Sequence, residues 1–276
     1  MNDILVTMRV LDYKGSLFFF IQMEVLVMWY RVRKSWDNEK SQIGAYQVLD
    51  NAINVVKKNP GYFVFDESGN LAYVPPADSV VRTMSYKAKL RKKIGSHKKG
   101  ETVEVTRDRH KRWLMMDGTV VQNKSDIDLL TQIYDSTCKY PRTIAEEWVN
   151  TQGFSSKTEW LYWCNKYGQR VYIFKGKKGA WSLFKTFKCG TGNIDYGDGA
   201  DQGVYFQAKI YDKQKQFVNS SGQILYWNMH YSSLHGNCIH KGGTGKPCTH
   251  GCISMGNNAV QWVYNNLPID TKVIVF

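Results

Sequence analysis

The stretch GKPCTHGCISM, residues 245–255, decides how the C-terminal half of this 276-residue chain is interpreted. It contains two cysteines, and a histidine and a glycine directly precede the second one, Cys252. Another His-Gly pair, His235-Gly236, begins 17 residues before Cys252. Three kinds of site use such residues: a cysteine nucleophile with a distant histidine, a metal site, and a loop held by a disulfide.

Acyl transfer by a cysteine needs a thiolate, a base that supports it, and donors for the developing oxyanion. Gly251 permits a tight turn that leaves the Cys252 amide free to act as such a donor. A histidine that is distant in sequence, such as His235, can lie beside the sulfur, lower its pKa and carry a proton. His240 is close enough in sequence to take that place instead, although a loop histidine is the simpler interpretation.

These residues resemble a known family. Leu234-His235-Gly236-Asn237, then Thr249-His250-Gly251-Cys252-Ile253, then a short helix and a closing β-strand are similar to the catalytic domain of L,D-transpeptidases of the YkuD type, over about residues 155–276. The resemblance implies a site made of the nucleophile Cys252, the general base His235, the oxyanion-side residues His250 and Gly251, and the hydroxyl of Thr249. It also implies that Tyr231 and Trp227 line the donor groove.

The implied reaction is acyl transfer on peptidoglycan stem peptides, with release of D-Ala, formation of cross-links and no cofactor. Ser254 stands where many family members carry Arg or Asn, so we expect it to contact substrate without forming a guanidinium-carboxylate fork. Water as acceptor would make the protein a carboxypeptidase. A phage-associated wall-modifying enzyme and a non-catalytic wall-binding protein are further alternatives, and all of them place the protein outside the cytoplasm, at the wall or envelope.

A metal site is the competing interpretation, because six soft ligands fall within 18 residues. They are His235, Cys238, His240, Cys248, His250 and Cys252. Their spacing lacks the paired knuckles of common zinc sites, and we expect alternate residues of a strand to point apart, so we predict no metal. Cys238 and Cys248 are candidates for a disulfide that braces the loop, with two free thiols as the alternative.

The net charge of +13 is concentrated in residues 82–112, where 12 Lys and Arg stand against 3 acidic residues, 12 − 3 = +9. Such a field suits a polyanion, either nucleic acid, anionic lipid or an anionic wall polymer, whereas a solvated face needs no partner. No nucleic-acid reading motif accompanies the charge. We therefore expect stem peptides as partners, with anionic wall polymers as further candidates, and no nucleic acid.

The chain is expected to be mainly β with short helices, in several modules. We predict an N-terminal extension (1–28), a β-α-β-β module (29–75), a basic SH3-like barrel (80–130), a helical linker (131–154) and a β-sandwich-like catalytic domain (155–276). The modules at 29–75 and 80–130 resemble peptidoglycan-binding and wall-targeting modules of bacterial wall enzymes. The apolar run at 17–30 is shorter than the roughly 20 residues of a membrane span. A signal, an anchor, a buried strand or sequence upstream of a start at Met28 all fit this run, and membrane anchoring stays open.

Local patterns predict the elements of these modules. Helices are expected at 41–59, at 143–152 with a Thr143-x-x-Glu146 capping box, and at 257–266. Strands are expected at 158–164, 170–175, 180–189, 203–211 and 223–231, and in the closing TKVIVF.

Overall fold

The computed structural model describes residues 4–13, 16–25, 28–59, 61–73, 81–107, 112–196, 205–232 and 236–276, with only the backbone for 4–25 and 205–207. The chain divides into two compact units, Met1–Pro76 and Ala77–Phe276. The second unit contains the stretch around Cys252. Each unit is described by itself.

The first unit consists of a two-stranded hairpin and a four-stranded antiparallel sheet with one helix. Its elements are β1 (Ile4–Tyr13), β2 (Ser16–Val25), β3 (Tyr30–Arg33), β4 (Gly44–Tyr46), α1 (Leu49–Lys58), β5 (Phe63–Phe65) and β6 (Leu71–Tyr73). The sheet order is β4-β3-β5-β6. Ala52 and Val56 lie four residues apart on α1 and pack on Val32 and Val64 of the sheet, as expected for an amphipathic helix.

This sheet contains one strand more than the predicted β-α-β-β module. Residues 44–46 fall within the helix predicted for 41–59, but they pair with β3 as the short strand β4. The helix begins only at Leu49, after Val48 in extended conformation. Helical spacing of Ala45 with Leu49 and Ala52 therefore predicted the helix correctly but placed its start several residues too early.

The second unit begins with a five-stranded antiparallel sheet in the order β10-β9-β8-β7-β11. Its strands are β7 (Ser85–Leu90), β8 (Thr102–Arg107), β9 (Trp113–Met115), β10 (Val120–Val121) and β11 (Ile127–Ile133). On β7, Tyr86, Ala88 and Leu90 are buried while Lys87 and Lys89 are exposed, which is the period-two alternation of a half-buried strand. β11 continues to Ile133, three residues beyond the expected end of the basic module at 130.

The rest of the unit is a nine-stranded mixed sheet in the order β15-β20-β12-β13-β14-β19-β18-β17-β16. Its strands are β12 (Trp160–Asn165), β13 (Arg170–Lys177), β14 (Ala180–Gly190), β15 (Tyr205–Lys209), β16 (Asp212–Val218), β17 (Ile224–Ser232), β18 (Asn237–Lys241), β19 (Ile253–Met255) and β20 (Lys272–Val275). The β12-β13-β14 meander and the closing strand β20 agree with the predicted positions. β16 was not predicted, because its DKQKQFV sequence lacks an apolar alternation.

β14 joins two halves of this sheet, since it pairs with β13 as far as Lys188 and with β19 at Cys189 and Gly190. One apolar cluster contains buried residues of both halves, for example Tyr162 of β12 and Ile239 of β18. The Tyr162 hydroxyl lies 3.5 Å from the Met255 sulfur across this core. The two halves therefore face each other over a shared core, which gives the sandwich-like domain that was expected.

Two helices flank this domain, α2 (Arg142–Thr151) and α3 (Asn257–Asn266). Trp148 of α2 stacks on Trp163 of β12, with ring centroids 4.4 Å apart, and Trp163 stacks in turn on Tyr172 at 4.7 Å. Aromatic stacking of this kind adds to the apolar burial that holds a helix on a sheet. Among the described residues, none of the helices has the length and apolar character that crossing a bilayer requires.

The predicted capping box of α2 is wrong. The N-cap is Pro141, which makes no side-chain capping hydrogen bond. Glu146 instead accepts hydrogen bonds from Arg142 at 2.8 Å and from the Leu183 backbone N–H at 2.7 Å. The carboxylate thus fastens α2 to β14 instead of closing the helix end.

Candidate active site

Cys252 lies between a glycine turn and the buried strand β19. Gly251 has a φ of 130°, a backbone conformation that favours glycine. Its N–H donates to Thr249 Oγ1 at 3.1 Å, and Thr249 Oγ1 donates to the Cys252 carbonyl at 2.7 Å. The turn is therefore closed by its own threonine, and the thiol that follows is half-buried.

A second segment fixes this turn from the side. The Thr191 carbonyl accepts from the N–H groups of Cys248 at 2.8 Å and Thr249 at 3.1 Å, and the Thr249 carbonyl accepts from Asn193 at 2.8 Å. Gln169 holds Thr191 in place with two side-chain hydrogen bonds, one to its N–H and one to its hydroxyl. The position of the Cys252 turn is therefore set by backbone pairing with residues 191–193.

Gly190 permits the close approach of these segments. A β-carbon at this position would overlap the Cys248 sulfur and lie 2.8 Å from both the Gly243 carbonyl oxygen and Ser254 Oγ. No larger residue fits there without displacing the strand that carries Ser254.

The parallel pairing of β18 with β19 brings two side chains of β18 to Cys252. The register joins Ile239 to Ile253 and His240 to Ser254. Cys238 and His240 flank Ile239, so they share the face opposite to it, because successive side chains of a strand alternate. Ile239 enters the core, and Cys238, His240 and Cys252 come together on the other face, with their ligand atoms within 4.8 Å of one another.

The expectation that alternate residues of this strand point apart is therefore wrong. Residues i and i+2 lie on one face of a strand, and Cys238 and His240 follow that rule. The Cys238–Cys248 disulfide is also contradicted, because Cys238 and Cys248 are not bonded to each other and Cys238 Sγ lies 3.5 Å from Cys252 Sγ. The Cys248 sulfur lies beside Ser254 Oγ, at 3.4 Å.

The surroundings of Cys252 stabilise its thiolate. The pKa of Cys252 lies well below the ordinary value, because the Cys238 thiol hydrogen-bonds to the sulfur and because His240 adds a hydrogen bond and positive charge, against the effect of burial. Conversely, the pKa of Cys238 is raised, mainly by the hydrogen bond with Cys252 and to a smaller extent by burial. Cys238 is therefore the neutral donor of the pair.

His240 is oriented for this role. Burial disfavours its charged form, but the hydrogen bond with Cys252 and the thiolate charge raise its pKa above the ordinary value. Its Nδ1 lies 2.8 Å from the Lys241 carbonyl oxygen, which can only accept, so Nδ1 carries a proton and Nε2 is the basic nitrogen. The opposite pKa shifts of Cys252 and His240 favour a thiolate beside an imidazolium, which is the ion pair that cysteine nucleophiles use.

Three further residues were predicted to belong to the site, namely His235, His250 and Tyr231. His235, the predicted general base, lies outside the described residues. His250 is exposed, and its ring stacks on Tyr196 with centroids 4.7 Å apart. The hydroxyl of the buried Tyr231 donates a hydrogen bond to the Gly251 carbonyl at 3.3 Å, which holds the turn on the core.

Ser254 and Trp227 were expected to contact substrate, and the structure gives them packing contacts. Ser254 is 1% exposed and donates to the carbonyls of Gly243 at 2.6 Å and Gly190 at 3.3 Å. Trp227 packs edge to face on Tyr264 of α3. Ser254 therefore stabilises the strands behind Cys252, and its hydroxyl is not presented to solvent.

A cleft of about 320 Å³ lies next to this site. It is lined by Leu130 and Gln132 of β11, by Tyr134 just after that strand, by the loop at 193–196 and by residues 246–248. Cys248 and Tyr196 belong to this lining, so the cleft runs from the five-stranded sheet to the neighbours of Cys252.

A mainly β domain with a half-buried cysteine paired to an imidazole has the features of the cysteine acyl-transfer class. The family model described as the YkuD L,D-transpeptidase catalytic domain matches residues 159–275. This part of the chain is therefore a YkuD-type L,D-transpeptidase catalytic domain, and the resemblance drawn from the Thr249–Ile253 motif is confirmed.

Solved structures give weaker likenesses. They include a fused Zn-dependent amidase/peptidase/peptidoglycan-binding domain-containing protein from Clostridium acetobutylicum, at 23% identity over 49% of this chain and 59% of that chain, with a TM-score of 0.40. An L,D-transpeptidase from Stackebrandtia nassauensis has 18% sequence identity over 50% of this chain and 67% of that chain, with a TM-score of 0.37. An L,D-transpeptidase from Mycobacterium smegmatis has 13% identity over 78% of this chain and 90% of that chain, with a TM-score of 0.36. These TM-scores support no statement about activity. The comparison with curated proteins finds no significant match.

Proposed function

We propose that the protein is a peptidoglycan L,D-transpeptidase that forms cross-links between stem peptides through an acyl-enzyme on Cys252. The observation that carries this proposal is the contact of the Cys252 thiol with His240 inside a YkuD domain. Because the family acts on peptidoglycan, the same proposal locates the protein outside the cytoplasm, at the cell wall or envelope.

In the first half-reaction, the Cys252 thiolate attacks the carbonyl that joins the third, diamino residue of the donor stem to D-Ala. The C–S bond forms as the carbonyl becomes an oxyanion. When the intermediate collapses, the C–N bond breaks, and the His240 imidazolium gives its proton to the leaving amine of D-Ala. A thioester on Cys252 and a neutral His240 remain.

In the second half-reaction, a side-chain amine of a neighbouring stem attacks the thioester. Neutral His240 takes the proton of that amine, the C–N bond forms and the C–S bond breaks, which restores the thiolate and imidazolium. Water in place of the amine would give a carboxypeptidase by the same steps. A wall-binding protein without catalysis would not need the Cys252–His240 contact.

The Cys252 backbone N–H is our candidate donor to the oxyanion. Within the described part of the chain it makes no turn or loop hydrogen bond, whereas the Gly251 N–H is already bound by Thr249 Oγ1. Gly251 would therefore act through the turn conformation, and His250 and Thr249 as neighbours that shape the site. A single amide donor of this kind is worth roughly 3–4 kcal/mol of transition-state stabilisation.

His240 is our candidate general base, on the evidence of its contact with Cys252 and of the hydrogen bond at Nδ1 that leaves Nε2 basic. His235, which the motif suggested, stays the alternative. The variants His240→Gln and His235→Gln form a matched pair that separates the two assignments.

The test is incubation of the purified, reduced protein with a defined tetrapeptide muropeptide, followed by mass spectrometry of the products. We expect free D-Ala together with a cross-linked dimer, and neither product from Cys252→Ala. Release of D-Ala without dimer would favour the carboxypeptidase. Full turnover by Cys252→Ala would refute the proposal.

A further inference from the structure

Cys238 is the part of the site that the proposed reaction does not need. Acyl transfer requires one thiol and one base, yet a second cysteine lies 3.5 Å from the nucleophile, sulfur to sulfur. Cys238 is 1% exposed, so this thiol is not a surface feature. Its position follows from the register of β18 with β19.

Cys238, His240 and Cys252 together offer two sulfurs and one imidazole nitrogen, all within 4.8 Å of one another. Tetrahedral zinc binds thiolate sulfur at about 2.3 Å and imidazole nitrogen at about 2.0–2.1 Å. Ligand atoms on one such ion lie roughly 3.5–3.8 Å apart by that geometry. The two sulfurs, 3.5 Å apart, have this separation, and the imidazole nitrogen lies within 4.8 Å of both.

The hydrogen bond at the other ring nitrogen of His240 also suits a bound cation. A metal-bound histidine donates its other ring N–H to a carbonyl or carboxylate, and His240 Nδ1 lies 2.8 Å from the Lys241 carbonyl. Cys252 and His240 are only partly buried, and the cluster supplies three ligand atoms of the four that a tetrahedral ion takes. Three protein ligands with one open position are the pattern of an exchangeable site, whereas structural zinc sites are closed by four.

We propose that Cys238, His240 and Cys252 form a reversible binding site for a thiophilic cation of the Zn²⁺ class, which occupies the nucleophile when bound. The sulfur of Cys252 then coordinates the metal and cannot attack a carbonyl. The metal and a substrate stem are therefore mutually exclusive at this site. The binding itself does not depend on catalysis, and only its consequence for turnover rests on the proposed function.

Proton balance follows from the ionisation of the three groups. Zinc binds thiolates and neutral imidazole. Any proton that the two thiols or the ligating nitrogen of His240 hold is therefore displaced when the ion binds. Each bound Zn²⁺ thus displaces protons to the buffer, and a lower pH weakens binding.

The test is titration of the reduced, metal-free full chain with Co²⁺, followed by displacement with Zn²⁺. We expect one ion per chain, intense visible bands of tetrahedral cobalt and a thiolate-to-cobalt charge-transfer band in the near ultraviolet. Cys238→Ala removes a direct ligand and should weaken Zn²⁺ binding by at least about tenfold. Losing a group that only hydrogen-bonds to a ligand already has an effect of that size. His240→Gln is the second ligand variant, in case one of the two is unstable.

Cys248→Ala is the matched control, because its sulfur is close in sequence but contacts Ser254 and not the three ligands. It should bind the ion as tightly as the wild type. A cobalt spectrum without the thiolate band, or equal affinity in wild type, Cys238→Ala and His240→Gln, would overturn the metal site. If the chain binds the metal but its metal-free, reduced form releases no D-Ala from the donor stem, the proposed function is refuted and this inference stands.

Discussion

Cys252 is distinguished from the other five cysteines by what contacts its sulfur. Cys189, buried in the core beside Cys164, has its pKa raised by burial. Cys252 instead receives a hydrogen bond from Cys238 and the charge of His240, and its pKa is lowered. Cys252 is therefore expected to be ionised and nucleophilic near neutral pH.

The first prediction concerns alkylation by iodoacetamide at mildly acidic pH. A lowered pKa keeps Cys252 a thiolate below the ordinary thiol range, and reactivity is lost only when the pH falls through this lowered pKa. His240→Gln removes the imidazolium, so the loss of reactivity should move to higher pH and the alkylation rate at mildly acidic pH should fall. The measurement is peptide mapping of the alkylated residue over a pH series.

His235→Gln is the matched control and should keep the wild-type pH profile. If His235→Gln shifts the profile and His240→Gln does not, the base assignment is reversed.

The second prediction concerns Ser254. Ser254→Ala leaves the buried carbonyls of Gly190 and Gly243 without their hydroxyl donor, which should destabilise the fold by about 1–3 kcal/mol. Urea unfolding measures this difference, with Ser221→Ala in an exposed turn as the control that should change little. Unchanged stability together with a raised KM for the donor stem would instead restore Ser254 as a substrate contact.

The sequence predicts the identity of the nucleophile but not its partner. The Thr249–Ile253 motif and the glycine before Cys252 are local, so they can be recognised without a fold. The contacts of Cys238 and His240 with Cys252 depend on the pairing register of β18 with β19, which is a property of the folded sheet. A lateral pairing of two strands twelve residues apart leaves no periodic signal in the sequence.

At the scale of elements, β11 is coupled to the loop that supports the Cys252 turn. Gln132 of β11 donates to the Gly192 carbonyl at 3.0 Å and accepts from the Ile194 N–H at 3.2 Å. Gly192 forms a parallel bridge with Thr249. A side chain of the five-stranded sheet is therefore one hydrogen-bonded step from the Thr249–Cys252 turn.

The third prediction follows from this coupling. Gln132→Ala should increase the hydrogen exchange of the Asn193 and Ile194 amides, because the loop loses two of its hydrogen bonds. Gln132→Glu should have an intermediate effect, since a carboxylate accepts from Ile194 but cannot donate to Gly192. Mass-spectrometric hydrogen exchange measures both variants, and equal protection in all three proteins would show that β11 does not support the loop.

Elements with strong internal patterns were predicted well, and those that depend on partners were not. The β12-β13-β14 meander carries β-branched and aromatic residues bounded by glycine turns, and α3 has its apolar side at helical spacing. β4 and β16 are polar or very short and exist because a neighbouring strand pairs with them. Thr143 and Glu146 match a capping box in sequence, but Arg142 of the same helix and the Leu183 N–H of β14 bind the carboxylate instead.

At the scale of the whole molecule, the concentration of positive charge is partly neutralised within the second unit. Arg91 pairs with Asp128, and Lys92 lies 2.8 Å from Asp126. Lys87 and Lys89 remain exposed on the outer face of β7. Exposed pairs add little to stability, so the remaining lysines are better explained as a surface for an anionic polymer or as a solvated face.

The fourth prediction separates these two interpretations. If the face binds anionic wall polymer, binding to purified cell walls should weaken as salt rises, because exposed charges are screened over about 10 Å at 0.1 M. The double variant Lys87→Gln/Lys89→Gln should bind less at low salt than Lys177→Gln/Lys178→Gln, an equal charge change at exposed positions of the catalytic domain. Equal retention of both variants in a cosedimentation assay would favour the solvated face.

The expected mainly β composition and the identity of the C-terminal domain are confirmed, whereas the five-part division of the chain stays a prediction. The basic sheet and the catalytic domain fall in one compact unit, Ala77–Phe276. Composition could not predict this, because the contacts between β11 and the 191–196 loop join residues about 60 positions apart. Patterns within a short window contain no information about such pairings.

The central claim is that Cys252 carries the acyl group, and intact-mass analysis of the protein during turnover tests it most directly. With a tetrapeptide stem and no acceptor amine, the account predicts an adduct with the mass of the donor less D-Ala, mapped to Cys252 by peptide sequencing and absent from Cys252→Ala. D-Ala release with Cys252 unmodified, or an adduct on another residue, would contradict it.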